Sequence, residues 1–167
     1  MARKTDPYRH VQEFLLDLDP DVDQVIEGDN NRMECNVVIF DEFGRAVAVY
    51  VIPSMKMDTY ISSHLSILEH IKRGKRPLRE VWAEAEAMDG YLVYEIVKHD
   101  KYTWLLKGKD ERYGLKQKCY INPRFVRWLD LNKYRIYING RTSPVKIYSD
   151  DDHWNRIALV MPKIVVD

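Results

Sequence analysis

The sequence has no run of about 18 apolar residues, the length a membrane-crossing helix requires. Its first ten residues, MARKTDPYRH, hold no apolar segment of the kind a secretory signal needs. No Asn-x-Ser/Thr acceptor occurs. There are only two cysteines, Cys35 and Cys119, far apart and without metal-ligand spacing, which excludes a disulfide framework or a cysteine zinc site. Buried free thiols in a reducing compartment are the expectation. The seven glycines form no phosphate-cradling loop, and there is no nucleophile elbow, so a conventional small-molecule enzyme is not supported. Net charge is missing too: 26 Lys plus Arg balance 26 Asp plus Glu. A polyanion site must then be a local patch and not a global field. These absences point to a cytoplasmic protein that does not contact membrane, and its 167 residues suffice for one compact domain.

What is present is clearest between Met33 and Lys56. Two β-branched runs, Glu34 to Phe40 and Arg45 to Ile52, flank a short acidic turn containing glycine, the pattern of a hairpin. Within them Val37 to Phe40 and Ala46 to Ile52 are apolar without alternation, so both faces should be covered. Before them, Asp6-Pro7 opens a helix whose Val11, Phe14, Leu15 and Leu18 share a face. The acidic stretch from Asp19 to Asn31 reads as a connector. After the hairpin, Asp58 caps a helix carrying Ile61, Leu65, Leu68 and Ile71, closed by Gly74, and Pro77 starts another through Trp82 to Met88, closed by Gly90. From Tyr91 the pattern turns to strands, at 91–97, 102–106, 115–121, 134–138, 145–148 and 157–160. The expected fold class is therefore α+β: helix, hairpin, two helices, then a β-rich half. Two lobes, 1–90 and 91–167, meet near residue 90 within one compact domain.

Residues 7–73 resemble the PD-(D/E)xK nuclease superfamily, and more closely the N-terminal nuclease domain of type I restriction enzyme motor subunits. The likeness lies in the helix YRHVQEFLLDL followed by NVVIFDEFGRAVAVYVI and a further helix, an α-β-β-α order. The resemblance implies two carboxylates and a lysine around a divalent metal, which activates water and stabilises phosphoryl-transfer charge. On this chain the family's Asp position falls on Asn36, and its Glu and Lys positions fall on Val51 and Pro53. A shifted register draws instead on Asp41, Glu34 or Glu42 with Lys56. The implied state is a degenerate core without catalysis; no cofactor is expected, and Mg²⁺ or Mn²⁺ enters only if a nuclease survives. A second resemblance, to the ribonuclease H fold, rests on SSHLSILEHIKRG and YEIVKHDKYTW and would align Asp41, Glu69 and Asp100, although that family's Asp-Gly-Ser is absent.

Two basic stretches stand out. HIKRGKRPLR gathers Lys72, Arg73, Lys75, Arg76 and Arg79 at a turn between helices, where cations suit either phosphates or a helix dipole. Lys116, Lys118 and Tyr120 lead on to Arg124, Arg127 and Trp128, a basic-aromatic run that suits a splayed base or ordinary sheet packing. His64 and His70 lack the i, i+4 spacing of a metal pair, and His153 follows three aspartates in a solvated turn. Three functions follow. The first is a non-catalytic nucleic-acid-associated protein. The second is a small inhibitor or accessory factor of a phage or mobile element that binds a host nuclease or defence complex, as the aromatic content allows. The third is a metal-dependent nuclease built on Asp41, Glu69 and Lys56.

Overall fold

A computed structural model describes residues 8–17, 24–29, 34–41, 43, 45–53, 78–88, 90–150 and 155–165. Helix α1 (Arg9–Asp17) is followed by strands β1 (Gln24–Asp29), β2 (Glu34–Phe40) and β3 (Ala46–Pro53). Helix α2 (Leu78–Ala87) precedes β4 (Tyr91–Lys98), β5 (Trp104–Lys109) and β6 (Lys116–Ile121). A 3-10 turn at Pro123–Phe125 leads to β7 (Tyr134–Ile138), β8 (Val145–Ser149) and β9 (Arg156–Val160). All nine described strands form one sheet in the order β1-β2-β3-β9-β8-β7-β4-β5-β6, and every pairing is antiparallel.

The expected α+β class is thereby overturned, and with it the α-β-β-α nuclease-like core. Hairpin β2–β3 is not a small sheet between helices. It is flanked by β1, in the stretch read as a connector, and by β9 from the second half of the chain. The two described helices are short covers on a β-fold. The helix expected over 58–73 lies outside the described residues. Local signals favoured helices because apolar residues at i, i+3 and i+4 are easy to see. The strand that joins the two halves, RIALV, is five residues long and meets a partner distant in sequence.

The sheet is rolled. Past β9, Met161 N donates to Val47 O (2.9 Å) on one side and Lys163 N to Tyr120 O (2.8 Å) on the other. In a flat sheet, β9 and β6 would stand five strand spacings apart, about 24 Å. Three residues of chain reach only about 10 Å. The far strand β6 must therefore curl back toward β9. Gly108 on β5 permits the tightness: a Cβ there would stand 2.8 Å from the Ile138 side chain and 2.9 Å from Tyr91 O.

Residues opposed across an antiparallel pair share a face, and neighbours along a strand alternate. The inner face can be followed from Val37 to Tyr50, Ala158, Ile147 and Ile136, all buried. On β5 and β6 it continues with Leu106 and Cys119. Helix α1 packs Phe14 against Tyr50 on this side, with ring centres 5.6 Å apart. Trp128 stands between Tyr50 (6.2 Å) and Tyr134 (5.1 Å), and the Tyr50 hydroxyl donates to Phe125 O at 2.6 Å.

The outer face runs from Asn36 to Val51, and from Val49 to Leu159, Lys146, Tyr137, Leu92, Lys109 and Lys116. Helix α2 covers its first part. Trp82 and Ala85 are buried there, and the Trp82 indole N–H donates to Asn36 Oδ1 at 3.0 Å. Glu86 accepts from the Tyr148 hydroxyl (3.0 Å) and pairs with Arg156, whose guanidinium lies 4.9 Å from the centre of the Trp82 ring. Lys146 Nζ donates to Met88 O (2.9 Å) just beyond the C-terminal end of α2, where the helix dipole favours a cation.

Candidate nucleic-acid interface

Beyond α2 the outer face belongs to β4, β5 and β6, and lysines dominate it. The pattern of β5 and β6 explains why. Trp104, Leu106 and Gly108 face inward, as do Cys119 and Ile121, so Lys107, Lys109, Lys116 and Lys118 must face outward. The register sets Lys107 directly opposite Lys118 and Lys109 opposite Lys116. Opposed side chains in an antiparallel pair have Cβ atoms about 5 Å apart, and like charges there are destabilising. Lys107 is partly relieved by Glu95 on β4, whose carboxylate is 3.1 Å from its Nζ. Lys109, Lys116 and Lys118 are exposed.

Aromatic residues bound this ladder at each end. Tyr120, opposite Leu105, occupies the next outward position after Lys118, and the Arg141 guanidinium lies 6.0 Å from the centre of its ring. At the other end, the turn from Asp110 to Leu115 presents Tyr113 at 75% exposure. That turn is well defined. Asp110 N donates to Leu115 O (2.8 Å), Gly114 N to Asp110 O (3.0 Å), and Asp110 Oδ1 accepts Arg112 N (2.8 Å). Gly114 takes the left-handed conformation, φ 68°, that closes it. Among the described residues, the acids of these strands and their turn are Glu95, Asp110 and Glu111.

The residues singled out by the sequence have varied fates. Asp41 is engaged in its own turn: Oδ1 accepts Phe43 N and Arg45 N (both 2.9 Å), and Oδ2 accepts Arg45 Nε (3.1 Å). The Arg45 amide, with that of Phe43 and the Arg45 charge, holds the carboxyl below its ordinary range, although desolvation opposes this. Asp100 is spent alike, accepting Tyr102 N (2.7 Å) and Thr103 N (2.8 Å). Asn36, at the nuclease family's Asp position, is 5% exposed and bound to Trp82. Val51 is buried, and Pro53 ends β3.

Glu69, Lys56, Lys72, Arg73, Lys75 and Arg76 lie outside the described residues. So do Glu42, His64, His70 and His153, and the side chains of Glu34, Cys35 and Arg79. The backbone of Arg79 is in the first turn of α2. Among the described residues no three His, Cys, Asp or Glu side chains gather to hold a metal. Cys119 is a buried free thiol whose pKa burial pushes up to about 12, so it is no nucleophile at neutral pH.

The second basic-aromatic run divides. Lys116, Lys118 and Tyr120 reach the outer face, Arg124 and Arg127 are exposed, and Trp128, half-buried, packs against the core. Sequence reasoning missed Lys107 and Lys109. Their signal was present: Lys107-Gly-Lys109 and Lys116-Gln-Lys118 are two Lys-x-Lys triplets placed symmetrically about the turn. At period two, each triplet must put both charges on one face.

Among the described residues no helix is long and apolar enough to cross a membrane. No protein-family model and no curated protein matches the chain. Two solved structures are similar to it at 11% identity. One is a putative DNA polymerase III beta subunit from Eubacterium rectale, at a TM-score of 0.30, covering 84% of this chain and 54% of that one. The other is DNA polymerase III subunit beta from Borrelia burgdorferi in complex with a natural product, at 0.28, covering 95% and 62%. The chain thus spans little more than half the length of either, and at such scores the likeness carries no argument about this protein.

Proposed function

We propose that this chain is a non-catalytic nucleic-acid-associated protein that meets phosphates with the outer face of β5–β6. The observation that carries this reading is the register of the hairpin, which opposes Lys107 to Lys118 and Lys109 to Lys116. Such an arrangement opposes the fold's own stability, and rules of that kind are broken chiefly at functional sites. Phosphates between the rows would relieve the repulsion and release counterions. The engagement of Asp41 and Asp100 in their own turns supports the non-catalytic part of the reading.

A titration of labelled single- and double-stranded DNA and RNA, followed by anisotropy at several salt concentrations, tests it. Wild type should bind with log K falling linearly in log salt, and Lys107→Glu with Lys118→Glu should weaken binding at least tenfold at low salt and flatten that dependence. Salt-independent binding, or an unaffected double variant, overturns it. The same samples on a denaturing gel with Mn²⁺ check for cleavage, which the reading does not allow.

A second reading, a surface for a host protein complex, draws on Phe43. It is 74% exposed at the tip of β2–β3, with the Arg45 guanidinium 5.2 Å from its ring centre. Arginine and aromatic side chains dominate interface energetics. Loss of a pull-down partner with Phe43→Ala, alongside no nucleic-acid binding, would put this reading first.

A further inference from the structure

Resting on the nucleic-acid reading, we infer that the β5–β6 face takes a single strand whose bases stack on Tyr113 and Tyr120 while the lysines hold its phosphates. Three features suit this form. The first is width. The ladder is two strands across, about 5 Å between opposed side chains, so its four lysines gather on one narrow strip that a single backbone can follow.

The second is the order of residues along the hairpin. Tyr120 is followed by the Lys118–Lys107 rung, the Lys116–Lys109 rung, and then the turn that carries Tyr113. From Tyr120 to Lys116 is about 13 Å of extended strand. A chain laid along the rungs thus meets an aromatic ring at each end. In a duplex the base faces are stacked on one another and cannot reach those rings. In a single strand they are available, and aromatic stacking on them tolerates any sequence.

The third is that the chain carrying each ring is held. Tyr113 is exposed, yet its turn is fixed by the Asp110 and Gly114 hydrogen bonds. Tyr120 is positioned through its backbone, whose carbonyl accepts Lys163 N, and Arg141 lies over its ring. An isolated exposed aromatic calls for no explanation. A half-buried tyrosine in line with the lysines at one end of a ladder, and an exposed one on the turn at its other end, do.

The test uses three probes of one length and label: an oligothymidine, the same backbone without bases, and a duplex. Wild type should bind the oligothymidine at least about fivefold more tightly than the abasic strand, the effect of stacking one base. Tyr113→Ala should bring the oligothymidine down toward the abasic strand and leave abasic binding unchanged, while Tyr113→Trp should keep the discrimination. Lys118→Glu should weaken both probes. Equal wild-type affinity for base-bearing and abasic strands would overturn the stacking inference and leave the nucleic-acid reading standing. So would tighter binding of the duplex than of the single strand. Binding of none of the three would overturn both. Tyr113 lies on an exposed turn, so its variants keep the fold, which thermal unfolding checks.

Discussion

Hairpins β2–β3 and β5–β6 are built alike, each a pair of antiparallel strands joined by a turn that an aspartate organises. Their polar groups are used in opposite ways. In β2–β3 every described polar side chain with a chemical reputation is consumed by the fold: Asp41 by two amides and Arg45, Asn36 by the Trp82 indole. Both faces are covered, by α1 on one side and α2 on the other. In β5–β6 one face is buried and the other holds lysines set against lysines. Polar residues that satisfy one another explain a structure, whereas like charges brought together by the fold ask for a ligand.

The sharpest way to break this contrast is to remove the centre of the satisfied hairpin. Trp82→Ala empties a buried site and should cost about 3–5 kcal/mol, read as a drop in denaturant stability. The milder Trp82→Phe leaves Asn36 Oδ1 without its donor and should cost about 1–3 kcal/mol. It should leave affinity for polyanions unchanged. If Trp82→Phe instead weakened binding while remaining folded, the two hairpins would not be separable.

The next test works on the other side. Lys107→Glu with Lys118→Glu should lower affinity for nucleic acid at least tenfold at low salt. The dependence of log K on log salt should flatten by roughly 0.7 for every single-strand phosphate that the variant no longer neutralises. Asp41→Asn, in the first hairpin, should do neither.

A smaller effect is more telling because of its sign. Lys118→Glu alone replaces a repulsive rung with an attractive one, so the folded state should gain roughly 0.2–1 kcal/mol as binding falls. A destabilised variant would mean the lysines are at ease with one another, and the main support for the functional reading would go. The smallest effect concerns acid. Asp41 is held below its ordinary pKa, so its contribution is present above the carboxylate's unfolded pKa and is lost as pH falls through the folded one. Acid unfolding of Asp41→Asn should therefore lack a small component below about pH 4.

Many of the fold's elements were legible. The strands expected at 134–138, 145–148 and 157–160, hairpin β2–β3 and helix α2 all follow from period and punctuation, because each buries residues in a regular order. Strand β1 was not legible, since Val25 and Ile26 stand among acidic and turn residues. Nor was the pairing of β3 with β9. Register between distant strands is set by which hydrophobic faces meet, and no local window holds that information. The candidate site was half legible. Lys116, Lys118 and Tyr120 announced themselves by clustering, but Trp128 beside them packs against the core. Lys107 and Lys109 became meaningful only once β5 was folded onto β6. Asp41, Asn36 and Asp100 drew attention because acids and amides in turns look alike whether they serve chemistry or the backbone.

The insertion of β9 between β3 and β8 also has a consequence in time. Ala48 pairs with Val160, so the third strand waits for a partner that the ribosome delivers only after the other described strands. Until then β3 is an open edge with Val49 and Val51 on it, the kind of edge that other chains can pair with. Pairings of such long sequence separation place folding in the millisecond-to-second range. Stopped-flow refolding would show the last phase governed by the RIALV strand. A protein so arranged is vulnerable as a nascent chain in a way that its finished, rolled sheet conceals.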